Sequence, residues 1–219
     1  MNNHDIPRQK SEAELKVDAL LEKLKTLDID LEHETDDQEQ LKPSERIESI
    51  YNVWLAIKDR LNNPETALDV GSGFGYGVAV LDTKNIKTIG IENVPAKNKQ
   101  ALALFDQLDV ALNEIDEIDF ENSPAIMEAE FDQLDQEEVA DLITMFYLSQ
   151  ELITKPETFE ICQKLLKKDG QMVLATEADR ASVEQIIASG AINLPAGLSY
   201  EIIDLPGNFE QTIILLNKN

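Results

Sequence analysis

One cysteine in 219 residues, Cys162, leaves no partner for an intrachain disulfide and suits a reducing compartment. Histidine is nearly as scarce. The only two, His4 and His33, precede the body of the chain, so no histidine base is available from that body. No run approaches the roughly 18 apolar residues that a membrane helix needs. Met1-Asn2-Asn3-His4-Asp5 lacks the basic start and apolar stretch of a secretory leader, so the expected compartment is cytoplasmic. Positive charge is also in deficit, with 19 basic residues against 43 acidic and a formal charge of -24. Such a field repels phosphates and makes nucleic acid an unlikely partner. It is compatible with attraction of a basic protein or a cationic metabolite, and equally with plain solubility.

What is present is enough for one ordinary domain with an appendage: 42% hydrophobic residues for a core and 28% charged residues for a surface. Residues 1–42 form the appendage and 43–219 the domain. Ser11 to Leu31 reads as an amphipathic helix, with Ser11 and Glu14 at capping-box spacing and an apolar stripe of Val17, Leu20, Leu21, Leu24 and Leu27. The stripe requires a partner surface: the chain's own domain, a second copy, or another protein. Glu32 to Gln40 is acidic and aperiodic, as a mobile link would be.

From Pro43-Ser44 to about Leu61 the spacing of Ile47, Ile50, Val53, Trp54, Ile57 and Leu61 predicts a second helix, stopped by Asn62-Asn63-Pro64. Ala67 to Val70 and Lys87 to Ile91 are short strands flanking a glycine-rich turn and a helix-compatible Tyr76 to Leu81, which makes one βαβ unit. Ala96 to about Ile118 reads as a long helix, Pro124 to Phe131 as a weak strand and Asp141 to Phe146 as a buried strand. Pro156 to Leu166 is a helix, and Asp169-Gly170 turns the chain into a strand at Gln171 to Ala175. A helix at Ala181 to Ala188 follows, and strands at Tyr200 to Asp204 and Gln211 to Leu216 close the chain through Pro206-Gly207-Asn208. Alternating elements of this kind specify an α/β doubly wound, mostly parallel sheet. The last two strands, joined by so short a turn, must be antiparallel.

The turn Gly71-Ser72-Gly73-Phe74-Gly75 lies between a strand end and a helix start, where the ligand crevice of an open α/β sheet falls. Its glycines let the backbone approach a ligand closely. A dinucleotide fingerprint needs a glycine at its sixth position, which here is Tyr76 or Val78, and no Gly-Lys-Ser/Thr follows for a Walker loop. Glu92 ends the next strand, where a carboxylate accepts the hydroxyls of a ribose.

With Leu68-Asp69-Val70 leading into that turn and Glu92 following it, the chain resembles the class I S-adenosylmethionine-dependent methyltransferases. Asp141-Leu142-Ile143-Thr144 resembles their fourth motif, and Leu165 to Leu174 their helix end, turn and fifth strand. The resemblance runs from about Pro43 to the C-terminus. It implies a Rossmann-like seven-stranded sheet with an antiparallel C-terminal strand, and S-adenosyl-L-methionine as cofactor. The cofactor-binding residues it implies are Asp69, Gly71, Ser72, Gly73, Phe74, Gly75, Glu92, Asn93, Glu130, Phe131 and Phe146, with Asp69 near the methionine amine and Glu130 on the adenine amine. Asp116 and Asp119 are rivals to Glu130 should the third strand lie earlier. Methyl transfer from a sulfonium asks mainly for alignment. Any acid–base help would come from the residues after the fourth strand, of which Tyr147 and Glu151 are the candidate catalytic side chains, with Ser149 and Gln150 beside them. No metal is implied. The Asn-Pro-Pro-Tyr motif of amide-methylating members is missing.

A narrower likeness links Gly90 to Lys97, Ala129-Glu130-Phe131 and Ala140 to Ile143 with the non-SET histone-lysine methyltransferases. Their asparagine after the fourth strand is replaced here by Phe146 or Tyr147. The acceptor implied is thus a protein side chain or a small molecule. The alternative is a non-catalytic adaptor of the same fold, binding a basic partner through its acidic surface or N-terminal helix. Cys162 and Trp54 read as packing residues, and Tyr76 either shapes the pocket or packs beside it.

Overall fold

The computed structural model describes residues 11–26, 42–147, 155–192, 194–205 and 211–218. Its helices are α1 (Glu12–Thr26), α2 (Pro43–Ile57), α3 (Tyr76–Asp82), α4 (Pro95–Gln107), α5 (Pro156–Leu165) and α6 (Arg180–Ala188). Its strands are β1 (Thr66–Val70), β2 (Lys87–Glu92), β3 (Asn113–Ile115), β4 (Ala125–Glu128), β5 (Ala140–Phe146), β6 (Leu166–Thr176), β7 (Leu198–Asp204) and β8 (Thr212–Lys218). They form one sheet in the order β3-β4-β2-β1-β5-β6-β8-β7. Strands β3 to β6 run parallel across it, while β8 is antiparallel to both β6 and β7.

The expected Rossmann-like sheet with an antiparallel end is therefore present, but with eight strands in place of seven. The additional one is β3, three residues pairing with β4 at the sheet edge. It occupies chain that the periodicity assigned to the long helix from Ala96. That helix instead ends at Gln107. Asp109 turns left-handed (φ 54°) and the amide of Val110 bonds back to Phe105, which closes the last turn. A second difference lies before β6. The strand begins at Leu166 and passes Asp169 (φ 62°), with its register against β5 shifted between Ala140 and Leu142. Asp169-Gly170 is a bulge within that strand and does not start a new one.

Alternation along the strands divides the core. On β1, Leu68 and Val70 face one layer with Phe159 and Cys162 of α5 and Val183 of α6. Ala67 faces the other, with Val53 and Ile57 of α2 and Leu81 of α3. Cys162 is a buried core residue whose thiol burial pushes far up. Trp54 packs against two clusters, one around Val53, Ile57 and Leu81 and one around Ile47, Ile50 and Tyr76.

The capping box at the start of α1 forms, with the amide of Glu14 bonded to the Ser11 hydroxyl (3.2 Å) and the amide of Ser11 to the Glu14 carboxylate. Among the described residues the apolar stripe of α1 is turned into the molecule; Leu27 and the rest of the stretch to Leu31 lie outside them. Leu20 and Leu24 pack with Ile47 and Ile50 of α2 and with Leu104, Phe105 and Leu108, while Val17 is fully buried. Burial of each such side chain is worth about 1.5–3 kcal/mol. Lys23 ties the end of α1 to the carbonyl of Leu108. The link Glu32 to Gln40, both histidines and Pro206-Gly207-Asn208 lie outside the described residues. None of the described helices is long and apolar enough to cross a membrane.

Candidate functional site

The chain leaves β1 in one direction through α3 to β2 and, past β4, returns on the other side of β1 to β5. The reversal opens a crevice at the C-terminal ends of these strands. The glycine turn lies there because three successive left-handed positions, Gly71 (φ 67°), Gly73 (φ 54°) and Gly75 (φ 76°), fold it back on β2. The amides of Gly71 and Ser72 both donate to the carbonyl of Ile91 (2.8 and 3.1 Å). Gly75 then serves as the N-cap of α3. A Cβ on Gly73 would meet nothing within 4 Å, so this position faces open space.

Glu92, at the end of β2, is 4% exposed. One carboxylate oxygen accepts from the amide of Gly73 (2.9 Å), the other from that of Val94 (3.0 Å), and Lys97 stands 4.0 Å away. Its carbonyl accepts from the Asn98 amide group, which fixes the strand end against α4. Two accepted amide bonds leave lone pairs free on both oxygens. The Ser72 hydroxyl is buried with no partner among the described residues. An adenosyl ligand therefore fits the donors present: an acid with spare acceptor sites beside a turn whose open side carries no side chain.

Asp69 sits one strand away, 2% exposed, with a single side-chain bond from Thr144 of β5 (2.7 Å). Burial raises its pKa from 3.8 to about 7, the Thr144 bond works against the rise and the negative charge of Glu92 adds to it. Gly77 makes room for it: a Cβ there would lie 2.2 Å from the Asp69 carboxylate. Gly90 does the same for Ser72, its Cβ position being 2.6 Å from that hydroxyl.

Across the loops after β2 and β4, Asn93 donates to the exposed Glu130 carboxylate (3.1 Å), and Phe131 follows, half-buried, in a short 3-10 turn. Asp119, a rival for the Glu130 position, caps a turn by accepting from the amide of Glu121. Phe74 contacts Tyr76 at 5.8 Å between ring centres. Phe146 ends β5, half-buried. Tyr147, next to it, holds a left-handed φ of 59° and bonds through its hydroxyl to Ser49 of α2 (2.6 Å) and Gln211 (3.0 Å). Gln211 in turn donates to Ser49 (3.0 Å). Burial raises the Tyr147 phenol and the Ser49 bond opposes it. The Arg46 guanidinium lies 4.7 Å over the ring and pairs with Glu177 (3.3 Å). Aromatic side chains collect on this side: three of the four tyrosines and the single tryptophan belong to the packing around α2 and α3.

The structure thus brings together Asp69, the glycine turn, Glu92, Asn93, Glu130, Phe131, Phe146 and Tyr147 at one edge of the sheet. Ser149, Gln150 and Glu151 lie outside the described residues. Asp141, first residue of the quoted fourth motif, is at the opposite edge, and Thr144 is the member of that motif that reaches Asp69. Sequence reading missed Ser49, Arg46 and Gln211, which come from helix and strand ends far apart in the chain. It also passed over Gly77, whose one visible signal is a glycine inside an otherwise apolar helix.

This fold and this crevice define a methyltransferase-type domain. A family model described as "Methyltransferase domain" matches residues 23–198, and the chain belongs to that family. No curated protein is similar to it in sequence. Among solved structures it is similar to the tRNA methyltransferase TrmI from Aquifex aeolicus (14% identity, 91% of this chain and 76% of that one, TM-score 0.59). It is also similar to PH0226 from Pyrococcus horikoshii OT3 (10%, 83% and 93%, TM-score 0.58) and to the ribosomal protein L11 methylase from Lactobacillus delbrueckii subsp. bulgaricus (15%, 78% and 79%, TM-score 0.56). At these identities the likeness is one of fold.

Proposed function

We propose that the chain is an S-adenosylmethionine-dependent methyltransferase acting on a protein side chain or a small molecule. The observation that carries the reading is the coupling of Glu92 to Gly73: the carboxylate that suits a ribose is held by the amide of the turn that would pass beneath the cofactor. When bound, S-adenosylmethionine supplies an electrophilic methyl group on a sulfonium. Glu92 accepts the ribose hydroxyls, and Gly71 to Gly75 lay bare backbone against the ligand. Glu130 and the amide of Phe131 would hold the adenine, Glu130 giving up the bond from Asn93 to do so. Asp69, beside the end of the turn, neutralises the methionine ammonium, and that cation in turn favours its ionised form.

Phe146 and Tyr147 line the acceptor side. The Tyr147 hydroxyl, engaged by Ser49 and Gln211 and raised by burial, serves to orient the wall and is a poor proton acceptor. A base, where the acceptor needs one, is left to Glu151. A non-catalytic adaptor has no need of left-handed glycines or of a buried Asp69, so the geometry does not favour it.

Calorimetry with S-adenosylmethionine tests the assignment. Binding in the wild type, abolished by Gly73→Arg in a chain that still folds, is the expected result: the position faces open space, and its left-handed φ of 54° costs the arginine only about 1–2 kcal/mol of stability. No heat at high micromolar cofactor overturns it. Radiolabelled methyl transfer into a cell lysate, divided into protein and small-molecule fractions, then identifies the acceptor class.

A further inference from the structure

Arg46 is placed at some cost and with little return for the fold. Its side chain is 27% exposed and stacked on Tyr147, yet its one ion pair among the described residues is with Glu177, whose side chain is 64% exposed. Such a pair stabilises little, because water competes for the outer partner. The guanidinium is nonetheless held firmly. It lies three residues before Ser49 on the same face of α2, and Ser49 is locked into the bonds with Tyr147 and Gln211.

Its charge reaches two phenols, Tyr147 and Tyr76, working in both against the rise that burial imposes. Those neighbours locate it. Tyr76 opens α3 directly after the glycine turn, Tyr147 follows β5, and Glu177 follows β6. Arg46 therefore stands over the C-terminal ends of β1, β5 and β6, at the mouth of the crevice.

The other charged groups of that crevice have a clear preference. Asp69 and Glu92 suit cations and hydroxyls, and Lys97 is directed to Glu92. Among the described residues of the crevice, none of these receives an anion. A ligand with an amino-acid end brings a sulfonium, an ammonium and also a carboxylate, and the last needs a cation. In a chain with 43 acidic residues, a carboxylate reaches this mouth only if a local donor outweighs the field. A guanidinium, planar and forked, bonds a carboxylate through two parallel N–H groups, which a lysine does not. One edge is engaged by Glu177, whose exposure makes it easy to displace.

We propose that Arg46 is the carboxylate-binding residue of the crevice. The inference rests on the methyltransferase reading and extends it: the carboxylate is that of the cofactor's amino-acid end or that of an acidic small-molecule acceptor. The chemistry is the same, and two pairs of probes separate the sources.

The experiment is calorimetry on the full chain, wild type and Arg46→Gln, with melting temperatures as the folding control and Arg46→Lys as the variant that keeps charge without the fork. The first pair is S-adenosylhomocysteine and methylthioadenosine, which share the nucleoside thioether and differ in the amino-acid end. The second is benzoate and its neutral isostere benzamide, titrated into protein saturated with S-adenosylhomocysteine. Loss of at least tenfold in S-adenosylhomocysteine affinity in Arg46→Gln, partly recovered in Arg46→Lys, with methylthioadenosine changed less than twofold, assigns the residue to the cofactor. Unchanged nucleoside binding with a tenfold loss for benzoate alone assigns it to the acceptor. Equal losses for both members of a pair, or no loss for any probe, overturn the proposal. Should the wild type bind neither nucleoside, the cofactor reading fails separately, and benzoate against benzamide on the free protein decides Arg46 alone.

Discussion

At the N-terminal edge of β5, Asp141 accepts from the amides of Glu65 and Thr66 and from the Thr66 hydroxyl, while Lys167 lies 3.0 Å from its second oxygen. At the C-terminal edge of β1, Asp69 accepts one hydroxyl bond and meets no cation among the described residues. The first carboxyl is held below its ordinary range despite partial burial, through Lys167 and Thr66; the second is pushed up to about 7 by burial. The surroundings follow the same division. Around Asp141 a polar recess of about 280 Å³ is lined by groups bonded to one another: Gln171 accepts from the amide of Asn62, and the Asn62 side chain donates to the carbonyl of Asp169. Around Asp69 the Ser72 hydroxyl has no partner, and Gly73 faces empty space. A satisfied polar cluster stabilises the fold, whereas an unsatisfied one is destabilising until something binds. The difference supports the proposed site at the C-terminal ends of the strands.

The largest expected effect that separates the two edges is Asp141→Ala. It strands two backbone amides and Lys167, and should lower stability by about 2–4 kcal/mol in chemical denaturation. Cofactor affinity should stay within twofold, and a larger change would mean that the edges are coupled. Next is Gly77→Ala. Its Cβ would displace the Asp69 carboxylate, with about 1–3 kcal/mol lost to overpacking and cofactor affinity reduced at least tenfold by calorimetry.

Asp69→Asn tests the electrostatics. The folded pKa lies above the unfolded 3.8, so the folded state binds the extra proton between 3.8 and about 7. The stability linked to this group is full below 3.8 and declines as pH rises through about 7. Asparagine removes that decline. Its unfolding free energy in chemical denaturation should match the wild type near pH 4 and exceed it at pH 8 by on the order of 2 kcal/mol, while cofactor binding weakens. Asp141, with its pKa lowered, carries the opposite sign, and its contribution is lost as pH falls below 3.8. The smallest effect belongs to Tyr147→Phe, which keeps the ring under Arg46 and removes the bonds to Ser49 and Gln211. About 1 kcal/mol of stability should go, with unchanged affinity for methylthioadenosine.

Much of the working edge was legible because it is local in sequence. The glycine turn, Asp69 and Glu92 fall within one βαβ unit, where a strand end and a helix start lie only a few residues apart. The antiparallel ending was legible for the same reason, since a short connection permits no other direction. The strand β3 was not, because three residues have too little periodicity to stand out from the helix pattern preceding them. Nor was the bulge at Asp169, which depends on pairing with β5. The capping box of α1 was readable from Ser11 and Glu14, but the surface that covers its apolar stripe was not, because Leu104, Phe105 and Leu108 are distant in the chain.

The sequence alone determined the doubly wound sheet and the identity of the turn at its crevice, because periodicity and glycine spacing act over a few residues. Tertiary structure decided which polar groups are satisfied. Asp69 and Asp141 are the same residue type on two adjacent strands, and nothing near either one in sequence says that the first is buried with one partner and the second held by four. Arg46, Ser49, Tyr147 and Gln211 meet only when α2 closes over the ends of β5 and β8. That meeting is a consequence of packing, and it places a guanidinium at the mouth of a crevice that holds Asp69 and Glu92.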